Sequence, residues 1–385
     1  MRPIITAARI FVGVLFIISG LVKANDPLGL SYKMQEFFEV WNSDLAASGF
    51  FAKGLLISLF NWLHGYSLAL SILVITLEIL AGVALLMGWA RNAVLRLLLV
   101  LIIFFTFLTG YALWSGKFKN CGCFGDCLPI TPGTSFGKDI VLLVLILALW
   151  WGRKYINPVA SATARKAVLA GALVFTLGMQ WYVLNYLPFA DCLPYKVGNN
   201  INQQMQLPAG ARPDSFAIQF VYEKGGKKYE FPVEALPADL ETYTYVDRVD
   251  KLVRKGNAEP PIKGFALTGI SGADSTQAIL QLPKVLLVLS ENLNKANNGW
   301  FEELKALHHQ ASQQKIPLMV ITAASLTNTR SLLDSQGFAN IPLFSLDFTA
   351  IRTAARTMPT VLYLEQGTIK GKYSYRQMEQ AILKQ

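Results

Sequence analysis

Four cysteines carry most of the reactive chemistry available to this chain, and three of them crowd one short run, Cys121-Gly122-Cys123-Phe124-Gly125-Asp126-Cys127. The fourth, Cys192, stands alone well downstream. Thiols so arranged can form disulfides, pass electrons by exchange, or hold a metal. Gly122 and Gly125 allow tight turns that leave sulfurs accessible. Lys117 and Lys119 favour thiolates, and Asp126 opposes them. The Cys-x-Cys-x-x-x-Cys spacing lacks the usual Cys-x-x-Cys clamp and has no companion histidine, which sets a metal site last and leaves the metal set at none. Structural disulfides and a redox relay both remain open. One residue separates Cys121 from Cys123, so a bond between them closes a strained, labile ring, and these two are the exchange candidates. Cys127 and Cys192 are the candidates for a durable disulfide, a bridge that chain-entropy arguments value at about 4 kcal/mol.

What must position these thiols is a membrane bundle. Hydrophobic residues make up 53% of the chain and charged residues only 16%, which points to a membrane class. Apolar runs near 4–22, 66–88, 93–114, 140–151 and 168–187 give five candidate spans. Arg2, Arg9, Arg91, Arg96, Arg153, Lys154, Arg165 and Lys166 lie before the first span or cluster in alternate connections. By the positive-inside rule these mark the cytoplasmic side. The expectation is an inner-membrane protein with its amino terminus inside and its cysteines and C-terminal region outside, where disulfides persist. Val22-Lys23-Ala24 loosely resembles a cleavage site, but Arg9 interrupts the apolar stretch and Gly13 and Gly20 suit helix packing, which favours a retained span. The first exported loop carries apolar residues at helical spacing over 32–41 and 50–64, read as helices that lie on the outer leaflet or cap the bundle, with His64 an interfacial polar residue.

Within the spans the notable ionisable residue is Glu78. A carboxylate in hydrocarbon must be paired, neutral or turned to a polar cavity. Arg9 is the expected partner in a structural ion pair, with Arg96 a rival; proton transfer coupled to redox is the second reading. The net charge of +10 sits partly in the cytoplasmic loops, so it speaks for topology and membrane lipid contact before nucleic acid.

Beyond the last span the composition turns soluble. The organisation expected is a transmembrane domain over 1–189, a linker and hairpin region over 190–259 and an α/β domain over 260–385. Residues 216–223 and 227–231 read as a hairpin around Gly225-Gly226, followed by a charged, mixed stretch to Lys255. In the last region, strands near 284–290, 316–323 and 341–346 alternate with helices near 299–314 and 327–336. A hairpin over 360–375 and a terminal helix follow. This order resembles the thioredoxin fold, with Pro359 in Thr357-Met358-Pro359-Thr360 matching the family's proline beside its peptide groove. Where that family carries Cys-x-x-Cys, this chain has Ser290-Glu291-Asn292-Leu293-Asn294-Lys295-Ala296-Asn297-Asn298. Without a thiol the domain reads as a docking module, with Pro359 as its peptide-groove candidate.

The membrane half has its own resemblance. Arg9, Gly13 and Ser19-Gly20-Leu21-Val22-Lys23, with Asp26-Pro27 beyond, resemble the start of DoxX-type membrane proteins, and Glu78, Gly82 and Gly88 are similar to their second span. The Cys121-Gly122-Cys123-Phe124-Gly125 run resembles the MauE branch of that group. The resemblance implies a role in disulfide formation or protein maturation outside the cytoplasm, with an extracytoplasmic protein partner or thiol substrate. By analogy of layout it implies a membrane quinone as electron acceptor, making the chain a candidate thiol-disulfide oxidoreductase. The alternative is a non-enzymatic membrane scaffold or assembly factor whose disulfides are structural.

Overall fold

The computed structural model describes residues 2–118, 125, 127, 130–212, 215–232, 235–237, 239–254, 259–293 and 300–383. Cys121 and Cys123 lie outside the described residues, as do 294–298 of the segment that replaces Cys-x-x-Cys.

Five described helices are long and apolar enough to cross a membrane: α1 (Arg2–Ala24), α4 (Ser67–Met87), α5 (Arg91–Ser115), α6 (Pro132–Trp151) and α7 (Ala162–Tyr186). Two more, α2 (Pro27–Ala47) and α3 (Lys53–Gly65), join the first span to the second. Asp26 starts α2 by accepting the Gly29 amide, and Pro27 fits the first turn because its missing N–H has no helical partner to lose. The fourth span begins at Pro132, ahead of its expected start at 140, because Thr131 caps a polar first turn and Asp139 faces the bundle interior.

Glycine sets the closest helix approach. A Cβ on Gly82 would stand 2.7 Å from the Gly13 carbonyl oxygen, so α1 and α4 touch backbone to backbone there. Their chain directions oppose, which fixes the depth at which side chains on the two helices meet. At the end where α1 begins, Gly88 turns the chain with φ of 64°, and a Cβ would stand 2.4 Å from the Asn157 carbonyl oxygen. Only glycine fits both constraints.

The C-terminal half holds two sheets. The smaller has the order β2-β1-β3, from β1 (Ser215–Lys224), β2 (Lys227–Pro232) and β3 (Thr244–Arg254), all antiparallel. Gly225 and Gly226, both at positive φ, make the hairpin turn. The stretch read as charged and mixed contains β3; its charges break the apolar alternation, and pairing along β1 supplies the order that composition hides.

The larger sheet runs β4-β7-β6-β5-β8-β9, built from β4 (Thr268–Gly269), β5 (Val285–Ser290), β6 (Leu318–Thr322), β7 (Leu343–Ser345), β8 (Thr360–Glu365) and β9 (Thr368–Ser374). Strands β5, β6 and β7 are parallel, and β8 returns antiparallel to β5 and turns into β9. Helices cover both faces, which is why β5 is buried along its whole length. Leu287 and Leu289 face α9 (Thr276–Leu280) and α12 (Phe348–Ala354), whereas Leu286 and Val288 face α10 (Trp300–Gln313), α11 (Leu326–Ser335) and α13 (Gln380–Leu383). The Met358–Pro359 peptide bond ahead of β8 is cis.

Candidate functional site

One end of the bundle gathers the chemistry. It is the end where α1 and α7 finish and the C-terminal half attaches, called here the tail-side end. Cys127 and Cys192 are disulfide-bonded there, with Cα atoms 4.8 Å apart. The bond fastens the loop between α5 and α6 to the exit of α7. Asn25 reinforces that exit, donating its amide to the Ala190 carbonyl at 2.8 Å and accepting the Ala190 N–H at 3.0 Å. Gly125 of the same loop lies over Val22 near the end of α1. At the other foot of the loop Phe118 stacks on Phe37 of α2, 4.1 Å between centroids.

One residue past Val22, Lys23 turns into the bundle and is 2% exposed. Its ammonium donates to Glu78 Oε1 and Oε2 at 2.7 and 2.8 Å and to Ser19 Oγ at 2.9 Å, and lies 4.6 Å from the Phe105 ring centre. Ser19 donates in turn to Glu78 Oε1 at 2.9 Å. A second buried carboxylate, Asp139 on α6, accepts from Thr109 at 3.0 Å and from Lys138 at 2.6 Å. Both carboxylates and both lysines line one small internal gap together with Phe105. Two positive and two negative groups share this low-dielectric space, so the cluster is neutral in sum and each charge is satisfied locally.

This corrects the expected partner of Glu78. Arg9 lies at the opposite end of α1, where its guanidinium donates to the carbonyls of Leu85, Leu86 and Asn157 at 2.8, 2.6 and 3.0 Å. It satisfies the orphan carbonyls at the end of α4, a cap rather than an ion pair. Arg96 likewise points to its own helix, donating to the Asn92 carbonyl at 3.2 Å. Lys23 was missed because a lysine near a helix end reads as a flank. The available signal was Ser19 and Lys23 four residues apart on the face carrying Gly13 and Gly20.

The C-terminal domain docks on the same end. Glu291, directly after β5, accepts from Tyr32 of α2 at 3.1 Å and from Arg352 of α12 at 3.0 Å. Arg352 also donates to Gln35 at 2.8 Å and lies over the Tyr32 ring, 4.3 Å from its centre. Arg356 donates to Asp26, the cap of α2, at 2.7 Å, and Lys372 donates to Asp191 at 2.7 Å. Burial and the Glu291 carboxylate push the Tyr32 phenol well above its ordinary range. Burial lowers Lys372, with Asp191 opposing. Pro359, the peptide-groove candidate, is buried, as are Thr357 and Thr360 beside it. His64 has Glu39 as its neighbour, Nε2 to Oε1 3.1 Å.

The architecture defines a membrane protein: an apolar helical bundle with a disulfide-fastened loop and an α/β region seated on one end. Residues 1–152, from α1 through α6, match the family described as methylamine utilisation protein MauE. Residues 216–255, the three-stranded sheet, match a domain of unknown function (DUF8463). No curated protein and no solved structure matches the chain.

Proposed function

We propose that the protein is a membrane accessory component of extracytoplasmic thiol-disulfide chemistry serving protein maturation. The observation that carries this reading is the Cys127–Cys192 disulfide, which fastens Cys127, a few residues along the sequence from Cys121 and Cys123, to the exit of α7 at the tail-side end of a MauE-like bundle. In this reading that end faces the periplasm across the inner membrane. A bonded Cys121–Cys123 pair accepts two electrons from a substrate dithiol: the substrate becomes a disulfide, the loop cysteines become thiols, and the two substrate protons end on them. Return of the two loop thiols to the disulfide releases two electrons and two protons, and a membrane quinone would supply the acceptor for them. Cys127–Cys192 stays closed throughout. The neutral Lys23–Glu78 and Lys138–Asp139 cluster ties the end of α1 to the middle of α4 and the first half of α6.

The C-terminal domain is read as thioredoxin-like, a reading supported by its strand order and by a proline directly ahead of β8. With no cysteine in the segment 290–298, where that fold carries its Cys-x-x-Cys, the domain docks rather than reacts, and its first partner is the chain's own α2. A scaffold reading rests on the same docking contacts, with all cysteines structural. The experiment that separates the two is trapping. Cys123→Ser alone, expressed in membranes, accumulates mixed disulfides through Cys121 if the pair exchanges with substrate. Absence of any mixed disulfide from Cys121→Ser and Cys123→Ser alike favours the scaffold.

A further inference from the structure

The segment that leaves α7 is shared by three parts of the molecule. Ala190 exchanges two hydrogen bonds with Asn25, directly after α1, and Cys192 is bonded to Cys127 in the loop between α5 and α6. Asp191 between them accepts from Lys372 of β9 at 2.7 Å, a lysine whose side chain is 5% exposed. Further on, Gly198 donates to the Ile369 carbonyl at 2.8 Å, the Ile369 N–H donates to the Asn199 carbonyl at 2.9 Å, and Asn200 bridges Thr368, so the segment runs along the edge of β9. Tyr195 and Ile201 lie in the apolar core of the C-terminal domain. The residues between are compact: the Lys196 N–H donates to the Leu193 carbonyl and the Asn199 side-chain amide to the Pro194 carbonyl. A displacement at Cys192 therefore reaches β9 with little slack to absorb it.

We infer that the Cys127–Cys192 bond is the latch of the docked state: by fixing Asp191 where Lys372 meets it, the bond keeps the C-terminal domain seated on α2. The inference stands whether or not Cys121 and Cys123 exchange. While the latch is closed, the face carrying Glu291 and Arg352 meets Tyr32 and Gln35 of α2. Cutting the bond leaves Asn25 as the hold on Ala190, and Tyr375 and Arg376 still meet Asn185 of α7. The domain then stays tethered beside α7 and loosens at α2, which bares the Glu291 and Arg352 face to another partner.

The test uses the full chain in phosphatidylcholine nanodiscs and two covalent probes read by mass spectrometry. N-hydroxysuccinimidyl acetate labels Lys372 only when its contact with Asp191 opens, with Lys370 on the same strand, half exposed, as the reference. N-acetylimidazole labels the Tyr32 phenol only when Glu291 and Arg352 leave it. Tyr363 of β8, 2% exposed, stays unreactive while the domain is folded. Cys192→Ser and Cys127→Ser should each speed both reactions about tenfold, less than a loop-closing bond can supply in full because Asn25 and Asn185 still hold. Lys372 and Tyr32 rising together with Tyr363 silent is the expected result. A rise at Lys372 alone shows the strap loosening without the domain and overturns the latch, as does no change at either residue. Should a cysteine variant unfold, so that Tyr363 reacts too, Asp191→Asn decides. It weakens the same chain of contacts with the disulfide intact, and an unchanged Tyr32 rate in that variant overturns the latch.

Discussion

Replacing Lys23 by Met removes the ammonium from a site where both partners are under 5% exposed and the shortest N–O distance is 2.7 Å. The loss is two hydrogen bonds to Glu78, one to Ser19 and the cation over Phe105. A buried carboxylate remains without its cation, held only by the Ser19 hydroxyl. Breaking a buried pair from one side costs about 3–5 kcal/mol, which lowers the folded-to-unfolded ratio by roughly a hundredfold or more. Replacing both members by apolar residues removes the stranded charge, so Lys23→Met with Glu78→Leu should recover most of the loss, short of about 1 kcal/mol for the Ser19 hydroxyl. The assay is thermal unfolding of the full chain in nanodiscs, followed by intrinsic fluorescence. Equal stability of Lys23→Met and wild type, or a double variant no better than the single, would refute a tightly coupled buried pair. Arg9→Met serves as contrast: it uncaps α4 carbonyls at the other end, and Glu78→Leu should not rescue it.

Cys192→Ser opens the 65-residue loop and should cost about 4 kcal/mol at most by chain entropy, read as a lower unfolding temperature and a new alkylatable thiol at Cys127. Arg356→Gln strips the charge-assisted bond to Asp26, worth about 1.5–3 kcal/mol, so limited proteolysis of the full chain should release the C-terminal domain several-fold faster; an unchanged rate removes this contact from the docking account. Asp274 accepts from the Thr276 hydroxyl and amide at the start of α9, which holds its carboxyl below the usual carboxylate range. The native state therefore binds that proton less readily than the unfolded chain. The contribution is full above the unfolded pKa and is lost as pH falls through the folded one. Protection of the amides around 274–280, measured against their intrinsic exchange at each pH, should fall as pH drops below about 4, and Asp274→Asn should flatten that response.

Much of the architecture was legible because it rests on local rules. Five apolar runs of spanning length stand out whatever their packing, and Gly13 and Gly20 announce close helix contact. Gly225-Gly226 marks the hairpin, and the alternation of strand and helix after Pro260 gives the larger sheet. The ion pair was not legible, for a geometric reason. Arg9 and Lys23 are about 21 Å apart along α1, and only the antiparallel register with α4 decides which of them meets Glu78. That register is set by Gly82 against Gly13, a contact between residues far apart in sequence. Asp139 was hidden similarly, since a polar first turn reads as loop until the neighbouring Thr109 is known to face it. The docking of Glu291 on Tyr32 depends on how the two halves of the chain meet, which no window of sequence carries.

The central claim is that the four cysteines divide into a durable bond and an exchanging pair. Differential alkylation of membranes holding the full chain, followed by mass spectrometry across a series of thiol-disulfide poises, tests it most directly. The account predicts Cys127–Cys192 bonded at every poise short of denaturation, with Cys121 and Cys123 passing together between thiol and disulfide. Free thiols at Cys127 and Cys192 under native conditions, or four cysteines that ignore the poise, would contradict it.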